Sequence, residues 1–242
     1  MIGLFPAAGR ATRLGLPAGQ SKEVLEISSG RFAGDCLLNA YAEAKLDAAV
    51  VMHRQVKTDI AEHYKTHPIE GLPIRYHMVP PTPSTLHTLG AALDHIPREA
   101  VALGFPDIQF NAPDAFVQLR RALENSTAEI VLGLFDTDRP DKVDMVDTDD
   151  DGKVREIIIK PTHTELTSSW VLAVWRPRFT TWLRENLARL EKNHAGELYV
   201  GHALQAVMAE GWEVQSLYFE GAKLLDIGTP EDLQRAASFF DN

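Results

Sequence analysis

Apolar runs that alternate with helix-spaced stretches constrain this chain's fold more than any other feature. Ile2-Gly3-Leu4-Phe5-Pro6, Ala48-Ala49-Val50-Val51-Met52 and Pro73-Ile74-Arg75-Tyr76-His77-Met78-Val79 read as strands. Between them Leu37, Leu38, Tyr41 and Ala44 recur at helical spacing behind Asp35, a candidate cap, and a short polar helix covers 57–64. Strand, helix, strand, helix, strand in that order implies right-handed crossovers and a mostly parallel sheet with helices on both faces. The expected class is α/β.

The pattern continues past a rigid Pro80-Pro81-Thr82-Pro83 connection. Ser84 is placed to cap a helix through Leu86, Leu89, Ala92, Leu93 and Ile96, and Ala100-Val101-Ala102-Leu103-Gly104 reads as a central strand. A helix over 113–123 and a strand over 130–135 follow. Two shorter strands, over 143–146 and 153–159, flank Asp147-Thr148-Asp149-Asp150-Asp151-Gly152, and then come the strand Ser168–Trp175, an amphipathic helix over 179–190, a helix through Ala203, Leu204 and Val207, and a strand over 214–219. Asp-Gly between strands signals a hairpin, and the alternate aspartates imitate an EF-hand loop whose twelfth position is Ile158, which cannot ligate calcium.

The first strand empties into Ala7-Ala8-Gly9-Arg10-Ala11-Thr12-Arg13-Leu14, with Gln20-Ser21-Lys22-Glu23 beyond. Small residues let backbone N–H groups approach an anion, and Arg10, Arg13 and Lys22 concentrate positive charge in a chain of net charge -10 and pI near 5.3. A negatively charged ligand at this loop explains that placement. Neither a Walker A motif nor a G-x-G-x-x-G fingerprint is present. The acidic balance argues against a nucleic-acid or anionic-membrane binder. With one cysteine, Cys36, no intramolecular disulfide forms, and Cys36 on an apolar helix reads as an inert buried thiol. No export signal or apolar span is seen, so a cytoplasmic protein is expected. Among nine histidines, His63 and His67 stand four apart, but H-E-x-x-H is absent and Pro68 ends the helix there, which disfavours zinc.

The opening loop resembles A-A-G-x-G-T-R-L of the nucleotidyltransferases that activate sugar phosphates, with Ser21-Lys22 in place of the downstream P-K. Ala11 stands at the second glycine, a substitution that costs little if its φ is negative. Asp226-Ile227-Gly228-Thr229-Pro230-Glu231-Asp232-Leu233 resembles the D-I-G-T-P-E-D-L that closes the same catalytic domain; Thr229 caps and Pro230 starts a terminal helix. Lys160-Pro161 resembles the end of E-K-P with Ile159 replacing the acid, and Gly196-Glu197-Leu198 resembles the start of G-E-L-E-I-T.

The resemblance implies a Rossmann-like (GT-A-like), three-layer α/β/α fold with a mixed, mostly parallel sheet. It implies one catalytic domain over 1–242, with a nucleotide-binding half over about 1–110 and an acceptor half over about 111–242. Nucleotide contacts are expected from Ala7, Ala8, Gly9, Arg10, Ala11, Thr12, Ser84 and Thr85, although Ser84-Thr85-Leu86 lacks the family's glycine for the base. Asp107 and Asp226 are the expected Mg²⁺ ligands, Arg13 and Lys22 the triphosphate cations, and Lys160 the group that holds the acceptor phosphate. Trp170, where relatives carry glycine, and Glu197 are expected at the acceptor. The implied reaction joins dTTP, UTP or CTP to a phosphorylated acceptor, a sugar 1-phosphate above all, giving an NDP-sugar and pyrophosphate. Nucleic-acid and membrane partners are not expected, and a homo-oligomer is left open. Two alternatives stand beside this reading. One is a degenerate relative that binds a nucleotide or sugar nucleotide without catalysis. The other is a cytidylyltransferase acting on a non-sugar phosphate such as phosphocholine, to which the loss of an acid at Ile159 gives weight.

Overall fold

Side-chain alternation along β1 (Ile2–Ala7) divides the interior into two cores. Ile2 and Leu4 pack on one face of the sheet and Phe5 and Ala7 on the other, all buried. The computed structural model describes residues 1–9, 11–17, 19–96 and 98–240. After β1 the elements are β2 (Glu26–Ser28), β3 (Arg31–Phe32), α1 (Asp35–Glu43), β4 (Ala48–His53), α2 (Asp59–Thr66), β5 (Ile74–Met78), α3 (Thr85–Ala92), β6 (Val101–Leu103) and β7 (Ile108–Phe110). They continue with α4 (Ala115–Glu124), β8 (Ile130–Asp136), β9 (Met145–Thr148), β10 (Val154–Ile158), β11 (Ser168–Trp175), α5 (Pro177–Asn193), α6 (Val200–Ala209), β12 (Val214–Tyr218), β13 (Leu224–Asp226) and α7 (Pro230–Ala236).

Nine strands form the main sheet, in the order β10-β9-β11-β6-β1-β4-β5, with β8 beside β11 and β12 beside β8. β1, β4, β5 and β6 are parallel, whereas β11 runs antiparallel to β6, β8 and β9, and β10 antiparallel to β9. The sheet is therefore mixed and mostly parallel, with β11 and β10 running against the rest. Helices α1, α2 and α4 cover one face through Leu37, Ile60 and Phe116, and α3, α5 and α6 cover the other through Leu89, Phe179 and Leu204.

Chain order reverses between β1 and β6, since β4 and β5 lie on one side of β1 and β6 on the other. In open α/β sheets ligands bind in the crevice that such a reversal leaves at the carboxyl ends of the strands. The loop after β1 and the Gly104–Asp107 segment after β6 both open there. The strand Ser168–Trp175, the Ser84 cap and the Thr229-Pro230 helix start agree with the sequence.

Three local expectations change. Asp35 is the first residue of α1 rather than its cap; Gly34 takes that place, and the Asp35 carboxylate accepts from Phe32 N at 2.9 Å. Helix α2 starts at Asp59 because Lys57 is drawn into the interior by Glu23. Ala11 has φ 50°, in the left-handed region, so the condition under which alanine costs little is not met.

Candidate active site

The three-residue strands β7 and β13 build the centre of the site. They pair antiparallel with Asp226 opposite Ile108, and Ile227 N donates to Asp107 O at 2.8 Å, so the two aspartates meet although 119 positions of chain separate them. Lys22 Nζ reaches Asp107 Oδ2 at 2.5 Å. Arg13 comes from the other side: a methyl group built on Gly228 would lie 3.4 Å from Arg13 Nη2 and 3.5 Å from Asp226 Oδ1.

Burial alone would raise the Asp107 carboxyl, but the adjacent Lys22 ammonium outweighs it and holds the acid below its ordinary range. For Lys22 burial works against the charge, yet Asp107 overcomes it and the ammonium is strengthened. Burial, and then the charge on Asp107, push Asp226 up to about 6. Its Oδ1 is buried without a hydrogen-bond partner. A pair of carboxylates with an unsatisfied oxygen fits Mg²⁺, which is commonly held by one or two carboxylates with substrate phosphates and water completing the octahedron. Among the described residues no group of three or more His, Cys, Asp or Glu is disposed to hold a metal.

Ala7 and Ala8 are buried at the end of β1, while Gly9, Thr12 and Arg13 are exposed on the loop that follows. The expectation at Arg10 lies outside the described residues. Ser84 caps α3, accepting from His87 N at 3.4 Å and donating to Leu198 O at 2.5 Å. Its hydroxyl thus ties the start of α3 to the segment before α6, and Thr85 begins the helix.

A second cluster lies around Trp170, whose ring is 5.8 Å from that of Phe105, two residues before Asp107. Lys160, at φ 40°, sets its Nζ 3.7 Å from the centre of the Tyr199 ring, whose hydroxyl donates to Glu197 Oε2 at 2.7 Å. Trp170 is 3% exposed, and its indole nitrogen faces the Asp144 carboxyl without a hydrogen bond of ordinary geometry. Asp144, absent from the sequence-level site, is buried in the same place. Its signal was a single acid inside the apolar run Val143–Val146.

Sequence reasoning also missed how the loop is anchored. Ser21 N and Oγ both donate to the Asp59 carboxylate at 2.6 Å, and Lys57 Nζ grips both oxygens of the wholly buried Glu23 at 2.9 and 2.8 Å. These two contacts fix the turn carrying Lys22 to the start of α2. Elsewhere, Asp149 accepts from the backbone N–H groups of Asp151 and Lys153, which makes it a turn residue. Burial pushes the Cys36 thiol up to about 12, as an inert thiol requires.

Sheet, switch point and charge cluster together define an α/β protein with paired cations and carboxylates at its switch point. The chain belongs to the nucleotidyl transferase family, whose model it matches over residues 3–242. It is 26% identical over 231 residues to UTP–glucose-1-phosphate uridylyltransferase AglF of Haloferax volcanii, covering 95% of this chain and 92% of that protein. It is 25% identical over 154 residues to the low-salt glycan biosynthesis nucleotidyltransferase Agl11 of the same organism, covering 62% of this chain and 40% of that one.

Among solved structures, a Bacillus anthracis protein assigned as a glucose-1-phosphate thymidylyltransferase and solved with sucrose superposes with TM-score 0.82 at 15% identity, over 98% of this chain and 94% of that one. A UDP-glucose pyrophosphorylase complexed with UDP-glucose gives 0.81 at 17%, over 99% and 98%. These two likenesses show the fold. The protein is a transferase of the nucleotidyl class, and among the described residues no helix is long and apolar enough to cross a membrane.

Proposed function

We propose that this chain transfers a nucleotidyl group from an NTP to the phosphate of a sugar 1-phosphate, releasing pyrophosphate and an NDP-sugar. The observation that carries the reading is the meeting of Asp107, Asp226, Lys22 and Arg13 at the switch point. Family membership and the uridylyltransferase relative support it.

In the transfer, an acceptor phosphate oxygen forms a bond to the α-phosphorus while the bond to the bridging oxygen of the β-phosphate breaks. Pyrophosphate leaves with the electron pair. The acceptor phosphate is already ionised near neutral pH, so no side-chain nucleophile is needed. What the protein must supply is charge neutralisation and alignment, because one anion attacks another. Lys22 and Arg13 face the triphosphate, and Lys160 holds the incoming phosphate, its ammonium steadied by the Tyr199 ring. Asp107 and Asp226 would hold the divalent ion that the family generally uses, whose chemistry is to neutralise charge at the α-phosphate.

Pyrophosphate release, with the four NTPs and dTTP crossed against a panel of sugar 1-phosphates and phosphocholine in Mg²⁺, tests the reading. Release dependent on one nucleotide and one sugar phosphate is the expected result. Dependence on phosphocholine, or silence with nucleotide binding intact, would overturn it. Asp107→Ala and Asp226→Ala should each lower kcat by about 10²- to 10³-fold with folding retained.

A further inference from the structure

Asp144 is buried, 8% exposed, beside the Lys160 cluster, and its Oδ1 has no hydrogen-bond partner. The Trp170 indole nitrogen, on the neighbouring strand β11, is likewise buried; it faces the Asp144 carboxyl and favours its charged form, without closing a hydrogen bond of ordinary geometry. An unsatisfied acceptor and an unsatisfied donor are each costly, and buried polar atoms of this kind call for an explanation.

Their surroundings narrow the explanation. A methyl group built on Gly201, in the first turn of α6, would lie 2.3 Å from Asp144 Oδ2 and 2.5 Å from Ile159 Cδ1. The carboxylate and the Ile159 side chain are therefore packed directly against the glycine, and any larger residue at 201 would have to displace them. Trp170 N donates to Asp144 O at 3.4 Å, which holds the acid's backbone against β11. Lys160 lies close enough to oppose the rise that burial imposes on Asp144.

A cation, a carboxylate and an indole N–H converging beside the Tyr199 ring match the chemistry of a phosphorylated polyol. One hydroxyl can donate to a carboxylate and accept from an N–H at the same time. The geometry points to Asp144 as a specificity-determining residue that accepts a hydrogen bond from a hydroxyl of the acceptor's sugar ring, with Trp170 Nε1 donating to the same oxygen. This inference rests on the sugar 1-phosphate reading above and names the side chain that selects the acceptor. The carboxylate does at position 144 what the alkyl side chain of Ile159 cannot. Phosphocholine has no hydroxyl to offer it.

The test uses the full chain with Mg²⁺, the active NTP, the active sugar 1-phosphate and its monodeoxy analogues. Asp144→Asn keeps the shape of the side chain and removes the charge. The expected result is a rise of about 10- to 100-fold in KM for the parent acceptor, with KM for the NTP unchanged. For one monodeoxy analogue, the one lacking the recognised hydroxyl, wild type and Asp144→Asn should bind alike. A parent-acceptor KM within twofold of wild type, or an equal rise for every analogue, would overturn the assignment. Absence of wild-type turnover with any sugar 1-phosphate would instead remove the functional reading and the inference with it.

Discussion

Ala11 pays for its position in the loop with a left-handed backbone. For a residue with a Cβ that conformation costs about 1–2 kcal/mol, which glycine avoids. Ala11→Gly should therefore raise stability by about 1 kcal/mol, measured by denaturant unfolding, although the same exchange in a negative-φ loop would lower it. Asp144 makes a pH-dependent prediction. Burial lifts its carboxyl from 3.8 to about 6 despite the opposing charge of Lys160. The folded state then holds the proton more tightly than the unfolded chain does, so the linked stability is full below about pH 4 and is lost as pH rises through about 6. A shift of roughly two pH units corresponds to about 3 kcal/mol at most. In metal-free buffer the stability of Asp144→Asn relative to wild type should climb by up to that amount between about pH 4 and pH 7. A flat difference would show that the carboxyl is ordinary. The comparison cancels the contribution of Asp226, which burial and Asp107 raise over the same range. At this scale much was legible, because Lys22, Asp107 and Asp226 belong to short strings whose chemistry is local. Asp144 was not, since its environment comes from β9, β11 and α6 together and leaves no mark on its own segment.

At the scale of elements, the loop carrying Lys22 is fastened to α2 by Ser21 on Asp59 and by Lys57 on Glu23. Burial pushes Glu23 up and Lys57 down from their ordinary values, each partly opposed by its partner. Removing one member leaves the other charge stranded. Lys57→Ala should cost about 3–5 kcal/mol in denaturant unfolding, whereas the apolar pair Glu23→Leu with Lys57→Met should recover most of it. The double variant should still lose affinity for NTP, because the turn beneath Lys22 is no longer held. A single variant within about 1 kcal/mol of wild type would show that water reaches the pair. Long elements such as β11 and α5 were visible, the one as an apolar run and the other as a pattern of period 3.6. The strands β7 and β13 were not, for three residues carry no period, and what makes them strands is each other. The start of α2 was misplaced because a lysine on an exposed turn and one paired in the interior look alike in sequence.

Over the whole molecule, one strand joins what the sequence presents as two halves. β11 is bonded to β6 of the parallel layer and to both β8 and β9 of the later portion. The alternation of strands and helices made the parallel layer legible, but the reversal at β11 depends on partners far apart in the chain. The order of the chain has a consequence for synthesis. As the polypeptide leaves the ribosome, β1, β4, β5 and β6 can pair while one flank of β6 stays open until residues 168–175 have emerged. Nascent chains stalled before that point offer a bare strand for misassembly, a hazard suited to chaperone protection. Asp226 arrives later still, on β13, so a partly translated chain carries one acid of the pair. The meeting of the two acids is thereby withheld until every strand of the main sheet has been made.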